Sequence, residues 1–161
     1  MSIIIKQMQS DSEIRGKAFV HWRSWHEAYR GIVDPEYLNK LTLEKCEELA
    51  YRWRENLLIA LDEGKVVGFA GYGSSTDDDL TDAGELFALY VLPEYYGTGL
   101  GRLLTDAALS NFNQAKIALW VLKDNTRAIR FYEKYGFRAD GREKTVSLGS
   151  PVPAIRMILT K

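Results

Sequence analysis

Apolar and polar positions along the chain follow two periods. Residues 2–8 form a short apolar run around Ile3-Ile4-Ile5, which predicts a first strand. From Asp11 or Ser12 to Tyr29 the apolar residues Ile14, Ala18, Trp22, Trp25 and Tyr29 recur three or four positions apart, which predicts an amphipathic helix stopped at Gly31. A second helical region covers 35–55, with Pro35 near its start and a break at Leu41-Thr42. Strands at 57–62 and 65–72 are joined by Glu63-Gly64 as a tight hairpin, and residues 74–83 are a polar loop. The pattern then alternates: strand 84–92, helix 98–113, strand 116–122, helix 125–135, a strand from Phe137, and a last strand 155–159 after the loop 149–153. A hairpin-rich half followed by β–α units predicts an α/β (α+β) fold, a mixed sheet of about seven strands flanked by about four helices, in one domain over 1–161.

The densest chemical signal sits between the strand ending at Leu92 and the helix after it. Pro93 stops the strand, and Gly97, Gly99 and Gly101 open the helix at alternate positions. Glycines there clear side chains from backbone N–H groups that have no helical partner, at the positive end of the helix dipole. That combination predicts a phosphate-bearing ligand around residues 98–102. A dinucleotide fingerprint would put its third glycine at 102, where Arg102 stands, and no P-loop string occurs.

A second segment, Asn125-Thr126-Arg127-Ala128-Ile129-Arg130-Phe131-Tyr132-Glu133-Lys134-Tyr135-Gly136-Phe137, follows the next apolar strand. Together the two segments resemble the GNAT superfamily of acetyl-coenzyme A-dependent N-acetyltransferases, over roughly residues 56–140. The pyrophosphate loop of that family, Arg/Gln-x-x-Gly-x-Gly/Ala, maps onto Tyr96-Gly97-Thr98-Gly99-Leu100-Gly101. Its signature Asn-x-x-Ala-x-x-Phe-Tyr-x-x-x-Gly-Phe maps onto Asn125, Ala128, Phe131, Tyr132, Gly136 and Phe137. Tyr96 departs from the pattern, standing where an Arg or Gln is usual; the backbone cradle does not depend on it.

The resemblance implies a sheet splayed between its fourth and fifth strands, with acetyl-coenzyme A in the gap as co-substrate. It assigns coenzyme binding to the backbone of Leu89, Tyr90 and Val91, to Tyr96, Gly97, Thr98, Gly99, Leu100, Gly101 and Arg102, and to Asn125, Ala128, Phe131 and Tyr132. Arg102 can instead be an exposed first-turn residue, and Asn125 also suits a helix N-cap. Tyr132 is the candidate acid for the leaving thiolate, against the reading of a packed aromatic. Glu85 is the candidate base, against a solvated strand end; a period of two would put it on one face with Phe87, Leu89 and Val91.

In that family the first two helices wall the acceptor pocket, which assigns Trp25 and Tyr29, with Glu85, to the amine. An aromatic wall of Trp22, Trp25, Tyr29 and Tyr37 near Asp34, Glu36 and Asp77–Asp79 would suit a cation, against core tryptophans and solvated acids. His21, His26 and Cys46 show no metal-ligand spacing, so no metal is expected. Cys46 lies far from both segments, so direct attack in a ternary complex is expected rather than a covalent relay.

Lys and Arg number 21 against 22 Asp and Glu, a net charge of −1 that argues against a nucleic-acid surface. No apolar run approaches the ~18 residues that span a bilayer, and the start lacks a signal-peptide pattern, so no membrane partner and a cytoplasmic location are expected. The single cysteine fits a reducing compartment. The expected function is acetyl transfer to a primary amine of a small molecule, peptide or protein, with a homodimer left open. The alternative is a non-catalytic acyl-coenzyme A sensor on the same fold.

Overall fold

The computed structural model describes residues 1–161. Seven strands, β1 (Ile3–Gln7), β2 (Leu57–Asp62), β3 (Lys65–Ser74), β4 (Ala83–Val91), β5 (Lys116–Leu122), β6 (Arg138–Ser147) and β7 (Pro151–Thr160), form one sheet in the order β1-β2-β3-β4-β5-β7-β6. The helices are α1 (Asp11–Ala28), α2 (Pro35–Lys40), α3 (Leu43–Arg52), α4 (Leu100–Leu109) and α5 (Thr126–Tyr135). The break foreseen at Leu41-Thr42 divides the second helical region into α2 and α3, because Thr42 caps α3 by accepting from the Lys45 N–H. Ser10 and Glu13 form a capping box at the start of α1 and fix where that helix enters the core.

Every neighbouring pair in the sheet is antiparallel except β4 and β5. Those two run parallel and pair only from Ala83↔Lys116 to Glu85↔Ala118. Beyond Glu85 they diverge, so the backbone groups on the β5 side of β4 have no strand partner, and a cleft opens in the middle of the sheet. The largest core, with Ile14, Ile59, Leu104, Leu119, Phe137 and Met157, fills both sides of this sheet. Each fully buried side chain of that size is worth roughly 1.5–3 kcal/mol, which holds the sheet rigid around the cleft. A second cluster, with Tyr29, Val33, Leu38, Leu122, Leu148, Val152 and Ala154, packs the α1–α2 corner against β5, β6 and β7.

Two local expectations are corrected. The alternation along β4 is broken: Gly71 pairs with Ala88 and Tyr72 with Leu86, leaving Phe87 as a bulge. The extra residue flips the faces. Val91 meets the α4 side, where a Cβ on Gly68 would touch both Leu104 and Val91, while Tyr90 packs on Phe69 and bonds Tyr29, the C-cap of α1. Glu85 therefore shares a cavity wall with Tyr90 and the α1 aromatics, and does not share a face with Val91. The second correction is at 151–153, expected as loop but part of β7. Val152 pairs with Val146 of β6, and the Pro153 carbonyl accepts from Lys123 N–H just past the end of β5. The nitrogens of Pro151 and Pro153 thus lie on the β5 side, at the end of that ladder, and their missing N–H groups cost the β6–β7 pairing nothing.

Candidate active site

The turn after β4 begins with a single 3₁₀ turn, Pro93–Tyr95, and reaches α4 through Gly97 and Gly99, at φ +76° and +89°. Those values are the left-handed region, open to glycine without strain. The Thr98 hydroxyl donates to the Tyr95 carbonyl at 2.6 Å and closes the turn. The backbone N–H groups of Gly97, Gly99, Gly101 and Arg102 donate to nothing else in the chain. All four residues line a cavity of about 360 Å³ whose cations are Arg102, Arg127 and Lys134. A Cβ on Gly101 would lie 3.2 Å from the Phe131 ring, so this glycine lets α4 and α5 approach each other.

Tyr96 holds no phosphate-facing charge of its own, but the Arg127 guanidinium lies over its ring, Cζ 3.1 Å from the centroid. Arg102 is exposed and leans toward the Tyr135 ring at 5.4 Å. Asn125 caps α5, its side chain accepting from the Ala128 N–H at 3.3 Å, and also lines the cleft, so both readings of that residue hold geometrically.

Three cavities run end to end through the cleft. The first is the glycine cavity. The second, about 130 Å³, shares Val91, Tyr96, Gly101, Arg127 and Phe131 with it, and adds Leu89, Tyr90, Asn125, Ala128 and Tyr132. The third, about 310 Å³, shares those last five residues and extends to Trp25, Tyr29, Glu85, Trp120 and Lys144. The predicted anion cradle, strand residues and amine pocket are therefore one continuous path, with Tyr132 and Tyr90 at the junction between its last two parts.

Burial sets the protonation states at that junction. The Tyr132 phenol is pushed well above its ordinary value by burial and by the nearby Tyr29 phenol, so it stays protonated at neutral pH. Tyr90 is shifted the same way, by burial first and by Tyr29 next, with its hydroxyl 2.8 Å from that of Tyr29. Glu85 is 7% exposed, and its Oε1 has no hydrogen-bond partner. Its pKa is raised by burial and then by the negative charge of Asp77, while Lys144 pulls the other way. Such a carboxylate has raised proton affinity and an oxygen without a partner, on a residue that lines the third cavity.

Several predicted acceptor residues fall elsewhere. Ring packing engages Trp22, which lies against Phe19 and His26. Asp34 caps α2, and Tyr37 packs in the corner cluster. Asp77 and Asp79 are occupied by Arg156, which is 3% exposed; Asp77 also accepts from Trp120 Nε1 at 3.0 Å. These acids hold the loop 75–82 to β7 and are not open to a ligand cation. No group of three or more His, Cys, Asp or Glu side chains is placed to hold a metal. His21 is held neutral, its pKa lowered to about 4 by burial and by Lys17.

Sequence reasoning missed Ser24, Arg127, Trp120 and Lys144. Ser24 is 2% exposed, with an unpartnered Oγ in the second cavity beside Ala28, one turn along α1. Its position one residue before Trp25, as Ala28 precedes Tyr29, was the available signal. Trp120 and Lys144 meet only through strand pairing across β7, which no local pattern reveals.

A backbone anion cradle leading along a splayed strand to an apolar pocket with a buried carboxylate defines a site for group transfer from an anion-bearing carrier. Comparison with known proteins gives the class. The model of the acetyltransferase (GNAT) family matches residues 19–137. The uncharacterized N-acetyltransferase YuaI of Bacillus subtilis is 33% identical over 167 residues, covering 92% of this chain and 94% of that protein. The PaiA N-acetyltransferase of Thermoplasma acidophilum, solved with coenzyme A, superposes with a TM-score of 0.74 over 100% of both chains at 24% identity. Apo YjaB of Escherichia coli gives 0.72 at 26% identity, over 98% of this chain and 97% of that one. The chain belongs to the acetyltransferase (GNAT) family of N-acetyltransferases.

Proposed function

We propose that this protein transfers the acetyl group of acetyl-coenzyme A to a primary amine by direct attack in a ternary complex, with residues 1–161 acting as one catalytic unit in the cytoplasm. The observation that carries this reading is the continuous path from the free backbone N–H groups of Gly97, Gly99, Gly101 and Arg102 to Glu85, whose Oε1 has no partner. The cradle binds the pyrophosphate, with Arg127 supplying charge. The pantetheine arm takes the partner-free side of β4 at Leu89–Val91, between that strand and Asn125, Ala128 and Phe131 of the α5 segment. A backbone N–H there polarises the thioester carbonyl as it becomes an oxyanion.

Glu85 accepts the ammonium proton, directly or through one water, and the freed nitrogen attacks the thioester carbon. As the tetrahedral intermediate collapses, its nitrogen releases a second proton to water and the carbon–sulfur bond breaks. The thiolate takes its proton from the Tyr132 hydroxyl, while Glu85 returns its own proton to solvent. Burial raises the basicity of a thiolate in the same cavity as it does that of the phenol, which keeps this transfer accessible. Tyr132 then regains its proton from solvent through the acceptor side, leaving amide and free coenzyme A.

The E. coli protein named a peptidyl-lysine N-acetyltransferase, YjaB, is 36% identical over 70 residues, which supports an amine as acceptor. The test is thiol release from acetyl-coenzyme A with a panel of amines, together with the thermal shift caused by the coenzyme. Turnover with an amine and a shift with acetyl-coenzyme A are expected. A shift with no turnover for any amine would favour a sensor on this fold, and a shift with ATP or NAD alone would refute the coenzyme site.

A further inference from the structure

The third cavity is walled mainly by apolar and aromatic side chains from α1, β4, β5, β6 and β7, and only two charged groups line it, Glu85 and Lys144. They carry opposite charge and are not ion-paired to each other. Glu85 is buried, with its Oε1 unpartnered. Lys144, on the outer strand β6, rests its ammonium over the Trp120 ring at 4.2 Å from the centroid. No carboxylate forms an ion pair with Lys144. Its neighbour Glu143 pairs with Lys123, and Asp77 is taken by Trp120 Nε1 and Arg156. The Trp120 ring is itself held in place by that hydrogen bond, so the lysine sits on a fixed platform at the exposed edge of the pocket.

An apolar chamber with a buried anion on one wall and an unpaired cation at its edge selects a ligand with the inverse pattern. We propose that the acceptor is a small zwitterionic amine, an ammonium and a carboxylate carried on one apolar body, as in a hydrophobic amino acid. Its amine meets Glu85, its apolar body packs on Trp25, Tyr29 and Trp120, and its carboxylate meets Lys144. This rests on the acetyl-transfer reading above and narrows its substrate. A polyamine would set a second cation against Lys144, and the cavity of about 310 Å³ is of small-molecule size.

The test compares kcat/KM by thiol release for L-phenylalanine against phenethylamine and L-phenylalaninamide, and for L-leucine against isopentylamine, with spermidine and a lysine-containing peptide alongside. The carboxylate-bearing member of each pair should be favoured by at least about tenfold, mainly through KM, the value of one charge-assisted contact. Lys144→Gln, which keeps the length of the side chain near that of the original, should bring each pair to within about twofold, and Lys144→Arg should retain the preference. Equal or better use of the uncharged-body amines, of spermidine or of the peptide by the unmodified protein overturns the proposal. So does a Lys144→Gln variant that lowers both members of a pair equally. Turnover of some amine with no carboxylate preference refutes this inference and leaves acetyl transfer standing; no turnover with any amine refutes both.

Discussion

Arg127 covers the ring of Tyr96, the guanidinium carbon 3.1 Å from the ring centroid. The pair accounts for the one departure in the glycine turn. Where relatives of this loop pattern carry a cation or amide at position 96, this chain carries a phenol ring that holds a cation delivered from the first turn of α5. The charge reaches the same cavity from a different element.

Arg127→Ala should therefore raise KM for acetyl-coenzyme A by about tenfold, the worth of a charge-assisted phosphate contact, with kcat little changed. The coenzyme-induced thermal shift should shrink, and the difference from the unmodified protein should narrow as salt rises. An unchanged KM at low salt would mean that Arg127 serves only to pack Tyr96.

The two inner glycines of the turn answer to different constraints, and substitution separates them. Gly99 has open space around it and φ +89°, so Gly99→Val strains the turn by about 1–2 kcal/mol and blocks the approach of a phosphate. Gly101→Val drives a side chain into Phe131, which loosens α4 against α5. Melting with and without acetyl-coenzyme A should show loss of the ligand shift for the first, and a lowered ligand-free Tm for the second. A full ligand shift in Gly99→Val would move the phosphate site elsewhere.

Much of this arrangement was readable from local pattern. The strand-turn-helix at 84–109 and the Asn125–Phe137 segment depend on neighbours within about one helical turn, on caps and on glycine conformation, all of which leave marks in sequence. The Phe87 bulge left none, because it arises from the register that β3 imposes through Gly71 and Tyr72. The strand at Pro151–Pro153 was hidden for a similar reason: whether a proline fits a strand depends on which side lacks a partner, and that is set by where β5 ends. The acids at 77–79 read as a solvated or cation-binding cluster until Arg156, 77 and more residues away, is seen between them.

Tyr132→Phe keeps the ring that packs on Phe131 and Phe137 and removes the hydroxyl alone. Turnover should fall by about 10²-fold or more, while KM for the coenzyme and Tm change little. Loss of folding or of coenzyme affinity in proportion to turnover would assign Tyr132 to packing.

Glu85 links activity and stability with opposite signs. Its pKa is raised in the fold, so its contribution to stability is complete below the unfolded value near 4.3 and is lost as pH rises through the folded value. At neutral pH the buried carboxylate is then a burden. Glu85→Gln should melt higher than the unmodified protein at pH 7 while losing the acidic limb of the kcat/KM profile. Asp77→Asn, which removes the neighbouring negative charge, should move that limb to lower pH. A limb that stays in place in both variants would belong to another group.

Arg156 tests whether the acceptor side is held electrostatically. Its buried guanidinium bonds Asp79 through two nitrogens at 2.7 Å each, Asp140 through Nε at 2.8 Å, and Asp77 at 3.2 Å. The bond to Arg156 holds Asp79 down to about 2; Asp140, which burial alone would raise, is also lowered by that cation. Depressed carboxylates contribute stability that is present above their unfolded value near 3.9 and is lost as pH falls toward 2. Arg156→Met leaves three carboxylates facing one another but partly wet, so the cost should sit at or below the lower end for a broken buried pair, about 2–3 kcal/mol. It should also flatten the stability profile between pH 4 and 2. Because Asp77 loses the partner that fixes it under Trp120, KM for the acceptor should rise while KM for the coenzyme does not. Arg142→Met, removing an exposed arginine 3.9 Å from the same Asp79, should shift stability by less than about 0.5 kcal/mol. Equal effects from the two arginines, or an Arg156 variant with an unchanged acid profile and acceptor KM, would mean that loop 75–82 is held by its backbone rather than by this cluster.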